Sequence, residues 1–504
     1  MFTSLYYIDW AVLAAALYFL VHMASKQTLS LPPGPKGYPI IGNLFDMPAS
    51  KQWETFAKWG DRWGEVTSVT MFGKSYVILN SHRVAYALLD KRGTIYSDRP
   101  NLVMAGQLMG WNDISGLMSY GETLKNHRKM FHTLLGSRST IRRFHPMEEL
   151  EAAKFMLRLL ETPEKRSAHI AQNVAALVLR ITYGYEVKHE DDRMVRLVND
   201  AMEELSVAST PGAFMVDLVP ALQKVPEWFP GAEFKRTARK WKQDLHEMID
   251  APFDYVKKAI SKGEAEESFV SGILRQIQDG EGFTERDLKW TAGAVFAAGG
   301  DTTVAALDAF FLLMMLNPDV QKKAQAEIDS VTRGERLPTF SDMEDLPYVH
   351  ALTKELVRFH PVAPIGIPHQ TSEDDIYEGH FIPKGSIIMA NIWKMTHDPA
   401  LYSNPEKFDP TRFMGPNPEL DPREVSFGFG RRACPGRLLA QATLFIVCSM
   451  SLSLFDMRPI KGDSPKFIIE HGSVSHPYAY KCDIVPRGSR QRVAELLSHH
   501  IHSA

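Results

Sequence analysis

Cysteine is scarce in this chain. The 504 residues hold three, Cys434, Cys448 and Cys482. So small and odd a number makes no disulfide framework and suits a domain facing a reducing compartment. Positive charge is not in excess either. Against 57 Lys and Arg stand 60 Asp and Glu, for a formal net charge of -3, which leaves no basic footprint for nucleic acid. After residue 40 there is no Ser/Gly tract, no long block of one charge and no repeat. Flexible linkers and solenoid arrays are therefore excluded. No Lys or Arg precedes the first apolar run, so the basic n-region of a cleaved signal peptide is missing. No flavin or nicotinamide fingerprint occurs. What is there is apolar: 44% of residues are hydrophobic, enough to bury a large core.

The apolar content begins early. From Leu5 to Met23 the chain is almost wholly apolar, with Asp9 and His22 near the ends and Tyr6, Tyr7, Trp10 and Tyr18 as interface anchors. That length is close to the roughly 20 residues a helix needs to cross the hydrocarbon core. Residues 1–25 are accordingly read as a transmembrane anchor. Lys26 and Lys36 follow it, so the positive-inside tendency puts the remaining chain in the cytosol. Residues 26–40 carry the run Leu31-Pro32-Pro33-Gly34-Pro35-Lys36-Gly37-Tyr38-Pro39. Prolines fix φ and remove donors, so this hinge is expected to be a stiff, extended arm. Residues 41–504 are read as one large catalytic domain.

Helical periodicity dominates that domain, at Met147 to Leu160, Lys235 to Ile260 and Thr284 to Leu316. The last opens on Thr284 with Asp287 three residues on, in the manner of a capping box, and Asn317-Pro318 stops it. About 32 residues at 1.5 Å rise span nearly 50 Å, so this helix has to cross the core. Strand-like runs are short and few: Val66 to Met71, Tyr76 to Leu79, His380 to Ile382 and Ile387 to Ala390. The expected class is mainly α, of α+β type, with minor sheets.

The densest chemical signal is Phe427-Gly428-Phe429-Gly430-Arg431-Arg432-Ala433-Cys434-Pro435-Gly436, followed by an apolar helical run from Leu438 to Leu454. A lone cysteine beside a helix start, among arginines, is where a thiol pKa is expected to fall. Glycines let backbone approach a flat ligand and leave amide N–H groups to point at the sulfur. A buried structural cysteine needs none of this. A second signal is Ala298-Gly299-Gly300-Asp301-Thr302-Thr303 in the long helix. Two successive glycines inside a helix cost about 1 kcal/mol each against alanine, so they need a reason. A helix kink with a polar turn is one such reason. Third, Glu355 and Arg358 stand one turn apart on a helix that also carries Leu352, Leu356 and Phe359.

The cysteine segment resembles the haem-binding loop of the cytochrome P-450 superfamily and matches Phe-x-x-Gly-x-Arg-x-Cys-x-Gly at every fixed position. The resemblance covers nearly the whole chain and is most like fungal microsomal members that oxidise secondary metabolites. It implies a cytochrome P-450 fold with a long central helix, haem b as cofactor and Cys434 as axial ligand of the iron. It also implies that Phe427, Gly436 and Gly299 lie against the haem, with Arg432 on a propionate. Asp301 and Thr302 become the pair that delivers protons to dioxygen, the thiolate favouring O–O cleavage. Pro410-Thr411-Arg412-Phe413 resembles the segment that completes a Glu355–Arg358–Arg412 triad, structural in role. At Leu124-Lys125-Asn126-His127-Arg128 the family usually has tryptophan where Leu124 stands. Propionate binding there is expected from Arg128, helped by Lys125 or His127. His369 is expected on a propionate too, although Gln370 replaces the basic residue common after it.

By the same resemblance the reaction is monooxygenation of a lipophilic small molecule, a terpenoid ahead of an aromatic polyketide or an indole. The implied setting is the endoplasmic reticulum membrane, with a single-pass anchor. Electrons would come from NADPH indirectly, through a membrane-bound flavoprotein reductase docking at Lys125, Lys129, Arg431 and Arg437. Expected pocket walls are Phe296, Ala297, Ile365 to Ile367 and Met104 to Leu117, with Val216 to Phe234 as a lid dipping into the bilayer. The rivals are a haem-thiolate isomerase or dehydratase, which tends to lose the Asp–Thr pair kept here, and a membrane haem-binding protein without turnover.

Overall fold

The computed structural model describes residues 29–503 apart from Glu190, Pro211, Glu281 and His471. The expected anchor, residues 1–25, lies outside the described residues. Two described helices are long and apolar enough to cross a membrane, Glu285–Leu316 and Arg437–Leu454, and both are mostly buried inside the protein.

Glu285–Leu316 organises the architecture. Its 32 residues span about 48 Å at 1.5 Å rise. The Thr284 hydroxyl accepts the Asp287 amide at 3.0 Å, which satisfies one of the first-turn donors. Only that half of the expected capping box forms, because the Asp287 carboxylate faces His127 Nε2 at 3.9 Å instead. At the other end Asn317 caps and Pro318 opens the next helix, Pro318–Thr332. Helices Arg166–Tyr183, Glu233–Lys262 and Arg437–Leu454 lie against this central helix. The main apolar core around it draws residues from Val103 to Leu497.

The small sheets sit to one side. Strands β1 (Val66–Met71) and β2 (Lys74–Leu79) form a hairpin in the register Val66↔Leu79 to Met71↔Lys74. Its turn residues Phe72 and Gly73 both have positive φ, the geometry that matches strand twist in a two-residue loop. The chain then leaves β2 and returns much later. Strands β3 (His369–Gln370), β4 (Asp375–Tyr377), β5 (His380–Ile382) and β6 (Ile387–Ala390) follow one another. The first sheet has the order β1-β2-β6-β3, with β6 parallel to β2 and β3 antiparallel to β6. Strands β4 and β5 make a separate hairpin, and β7 (Phe455–Arg458) pairs with β8 (Asp483–Pro486). The sheet edge at β3 carries His369 into the interior.

The proline arm is not a free spacer from Pro32 onward. The Ser68 amide of β1 donates to Pro33 O at 2.9 Å, and the Ser68 hydroxyl donates to Pro32 O. A Cβ on Gly34 would lie 1.9 Å from Ser68 O, so only glycine admits this close approach.

Glu355, Arg358 and Arg412 come together. Glu355 and Arg358 are fully buried and bonded in fork geometry, Nε to Oε2 at 2.7 Å and Nη2 to Oε1 at 2.8 Å. Arg412 Nε reaches Glu355 Oε2 at 3.1 Å, and the Asp409 amide donates to Oε1 at 2.8 Å. The arginines also donate to backbone carbonyls of Thr396, Ser403 and Lys407, and Arg412 pairs with a second carboxylate, Glu419, at 2.8 Å. One carboxylate thus ties the Pro347–Phe359 helix to the 396–412 chain. Glu355→Ala strands the fully buried Arg358 without its anion, while Arg412 keeps Glu419. It is expected to destabilise the protein by about 3–5 kcal/mol, read as a lowered denaturant midpoint.

Candidate active site

The cysteine loop is built by two glycines and two amides. Gly428 and Gly430 take positive φ, 74° and 54°, and a Cβ on Gly430 would stand 2.2 Å from Leu89 O. The turn can therefore pack down on the Tyr86–Lys91 segment only without a side chain there. The Cys434 amide donates to Phe427 O at 2.8 Å and closes the loop. Gly436 then caps the Arg437–Leu454 helix, and its ideal Cβ position lies 3.9 Å from Cys434 Sγ. The amides of Gly436 and Arg437 point at the sulfur.

Cys434 is exposed by surface area yet so enclosed that burial pushes its thiol pKa up. The two agree if the sulfur lies on the wall of an interior opening, and the enclosure is what governs its protonation. The sequence expectation was a lowered pKa. The Gly436 and Arg437 amides, Arg128 and Arg437 do pull that way, but desolvation exceeds them.

The central helix opens at the matching place. From Leu288 to Ala297 it is buried apart from Lys289, and again from Ala305 to Met315 apart from Asp308, whereas Ala298 is exposed and Gly299 to Val304 are partly accessible. The Thr302 hydroxyl donates to Ala298 O at 2.9 Å. The Cβ direction of Gly299 points at Val178, 3.0 Å away. What glycine permits there is close approach of the Arg166–Tyr183 helix. Gly300 meets only Val198, at 3.9 Å.

Three guanidiniums gather at the cysteine loop. Arg128 donates to Ala433 O at 2.6 Å. Arg432 donates to the carbonyls of Ser97, Ser115 and Met118 at 2.7, 3.0 and 2.6 Å. Arg99, which sequence reasoning missed, is buried and donates to the carbonyls of Gly116, Ile367 and Pro368. Among the described residues none of the three forms an ion pair. Burial lowers the Arg432 pKa to about 10, with Asp98 opposing and Arg128 adding to the fall. Burial and then Arg432 hold Arg99 well below its usual value. Buried cations bonded only to neutral carbonyls favour an anion beside them.

His369 is fully enclosed, and burial followed by Arg99 keeps its imidazole neutral. Its Nδ1 stands 2.7 Å from Tyr96 O, so Nδ1 carries the proton and Nε2 is an acceptor. Reaching a propionate therefore requires His369 to take up a second proton. The expected help from Lys125 or His127 does not materialise. His127 is buried against Ser115 Oγ at 2.8 Å, and exposed Lys125 pairs with Glu122 at 2.5 Å.

Other sequence expectations are redrawn. Phe296 and Ala297 belong to the core and not to a pocket wall. Phe296 is 1% exposed, with its ring edge-on to Tyr183. By contrast Ile367 is exposed and approaches Gly116, so those two wall segments do meet, stitched by Arg99. In the lid segment Trp228 and Phe229 are exposed with rings in contact, while Asp217 is anchored by the Met104 amide at 2.9 Å. Lys125 and Arg431 converge on the ring of Tyr120.

The residues present fit a flat, dianionic, iron-bearing group. There is one sulfur for the metal, and three guanidiniums with no ion pair among the described residues for two carboxylates. Comparison with known proteins agrees. The profile of the family described as cytochrome P-450 matches residues 32–484. Cytochrome P-450 monooxygenase 208 of Postia placenta is 43% identical over 497 residues, covering 97% of each chain. Monooxygenase claR of Ampulloclitocybe clavipes is 43% identical over 91% of this chain and 87% of its own. CLM2 of Gibberella zeae is 38% identical over 95% and 93%.

Proposed function

The chain belongs to the cytochrome P-450 family, and on that premise we propose that it oxidises a lipophilic small molecule, a terpenoid scaffold first and an aromatic polyketide or an indole next. It is a monooxygenase that uses haem b, and electrons reach such enzymes through a reductase. Haem held there would supply the chemistry of placing one atom of dioxygen in a C–H bond, the other leaving as water with two electrons from the reductase and two protons. The chain's own residues do the rest. Cys434 presents its sulfur with two amides directed at it. Arg99, Arg128 and Arg432 hold the propionates. Asp301 and Thr302 keep and move protons at Oδ1 and Oγ1 in the accessible turn of the central helix.

One observation carries this reading: a cysteine sulfur with the Gly436 and Arg437 amides directed at it, in a loop on which Arg128 and Arg432 converge with no ion pair among the described residues. In this reading residues 41–504 act as one catalytic body on the cytosolic side of the endoplasmic reticulum, held by the anchor at 1–25. A membrane-bound NADPH-dependent flavoprotein reductase docks over Lys125, Lys129, Arg431 and Arg437. The substrate enters past Ile367 under a lid whose Trp228 and Phe229 rest at the bilayer. An apolar route supplied from lipid, serving fungal secondary metabolism, favours a scaffold with little polar surface.

The substrate class is tested by titrating the ferric holoprotein with terpenoid, polyketide and indole scaffolds while following the haem spectrum. Terpenoids are expected to give the largest low-spin to high-spin shift. A shift confined to another class rejects the terpenoid assignment. Thr302→Ala is expected to keep haem but send more of its reducing equivalents to peroxide, with coupled turnover down by about a hundredfold, the low end for losing proton delivery. Equal peroxide per NADPH in variant and parent contradicts that role.

A further inference from the structure

Asp301, the acid of the accessible turn, is itself held by a distant group. Its Oδ1 lies 2.8 Å from Nε2 of His476, 175 residues on. His476 sits in a tight hairpin between β7 and β8. There the Glu470 amide donates to His476 O at 2.7 Å, Tyr478 N to Ile468 O at 2.9 Å, and Ile469 bridges Pro477. The Ser475 amide donates to Val362 O at 2.8 Å and anchors the hairpin to the chain beyond the Pro347–Phe359 helix. The imidazole is therefore fixed by backbone on both sides and aimed at one carboxylate oxygen.

The charged surroundings of His476 come from three elements. Asp301 and Asp308 face it from the central helix, Glu470 from its own hairpin, and His360 from the end of the Pro347–Phe359 helix. Burial lowers the His476 pKa, but the three carboxylates, Asp301 foremost, exceed it and leave the value raised. His360 is fully buried, and burial followed by His476 holds it down to about 4, so it stays neutral and adds no rival cation. The His476 side chain is 28% exposed and that of Asp301 33%, so both ends of the pair reach an opening.

We propose that His476 is a positioning residue for oxygen activation: it orients Asp301 beside Thr302 and resupplies its proton from Nε2. In that transfer the Nε2–H bond breaks as an Oδ1–H bond forms, and His476 regains one proton from solvent water. Net, one proton passes from solvent to the accessible turn, with nothing oxidised or reduced. The step rests on the reading of Asp301 as the proton-supplying acid. Asp301→Asn tests that reading and His476→Gln tests the relay, so the two failures are distinguishable.

The experiment uses haem-loaded protein with its NADPH-dependent reductase and no added substrate. It compares water-forming and peroxide-forming NADPH oxidation across pH. A raised histidine pKa means that the relay works at low pH and is lost as pH climbs through that value. The parent is expected to shift toward peroxide over that rise. His476→Gln is expected to be flat in pH, with water-forming turnover at low pH reduced by about tenfold, short of the roughly hundredfold loss of the acid itself. A second measurement needs no turnover. Histidine-labelled ferrous carbonyl protein is titrated by NMR in the parent and in Asp301→Asn, where the His476 titration is expected to drop by about one pH unit. Parallel pH profiles in parent and His476→Gln, or a His476 titration unmoved by Asp301→Asn, overturns the proposal.

Discussion

Three guanidiniums inside one protein, none of them in an ion pair among the described residues, are a constraint that the surrounding fold has to satisfy. Isolated buried cations cost several kcal/mol each unless hydrogen-bonded and matched by negative charge. Backbone carbonyls supply the hydrogen bonds. Arg99 and Arg432 between them take six carbonyls from Ser97 to Met118 and from Ile367 and Pro368, and Arg128 takes that of Ala433. The loop after Ser97, the strand that carries His369 and the cysteine loop are drawn onto one centre. In the proposed reading haem propionates and a thiolate supply the matching negative charge, and binding the cofactor would complete the electrostatics of the fold.

Two further devices keep that centre in place. Glu355 gathers Arg358 and Arg412 and fixes the 396–412 chain to the Pro347–Phe359 helix. Between Leu288 and Met315 the central helix runs through the interior, and its one continuous accessible stretch there is Ala298 to Val304. Either alone would leave the site loosely held. Together they set the sulfur loop and the Asp301–Thr302 turn on rigid elements, which is what positioning for catalysis requires. His476 adds a tie from the C-terminal hairpin to that same turn.

Much of this was legible in the amino-acid order. Thr284 and Asn317-Pro318 bracket the central helix as observed, because caps and prolines act locally. The strand-like run at Val66 to Met71 matches β1 as observed, for apolar alternation is also local. Strands β3, β4, β7 and β8 escaped because polar or charged residues interrupt them, as in Asp375–Tyr377, Phe455–Arg458 and Asp483–Pro486, whereas β6 is an unbroken apolar run. Arg99 escaped because an arginine in a loop carries no pattern until its carbonyl partners are folded around it. His476 escaped because its partner lies on another element. Phe296 was misassigned to the pocket for a different reason. The central helix is apolar nearly all round, so sequence alone does not say which face opens. The Cys434 pKa was misjudged because amides and arginines are visible in sequence, whereas desolvation is visible only in three dimensions.

The account stands on Cys434 as the sulfur that holds the iron. Cys448 is fully buried in the core, and Cys482 immediately precedes β8, outside the loop where the Gly436 and Arg437 amides point at a sulfur, so neither competes. The most direct measurement is the carbonyl difference spectrum of the reduced, haem-loaded protein beside that of Cys434→Ser. The account predicts a thiolate-type band in the parent that vanishes in the variant. A thiolate-type band surviving in Cys434→Ser, or none in an intact haem-loaded parent, would contradict it.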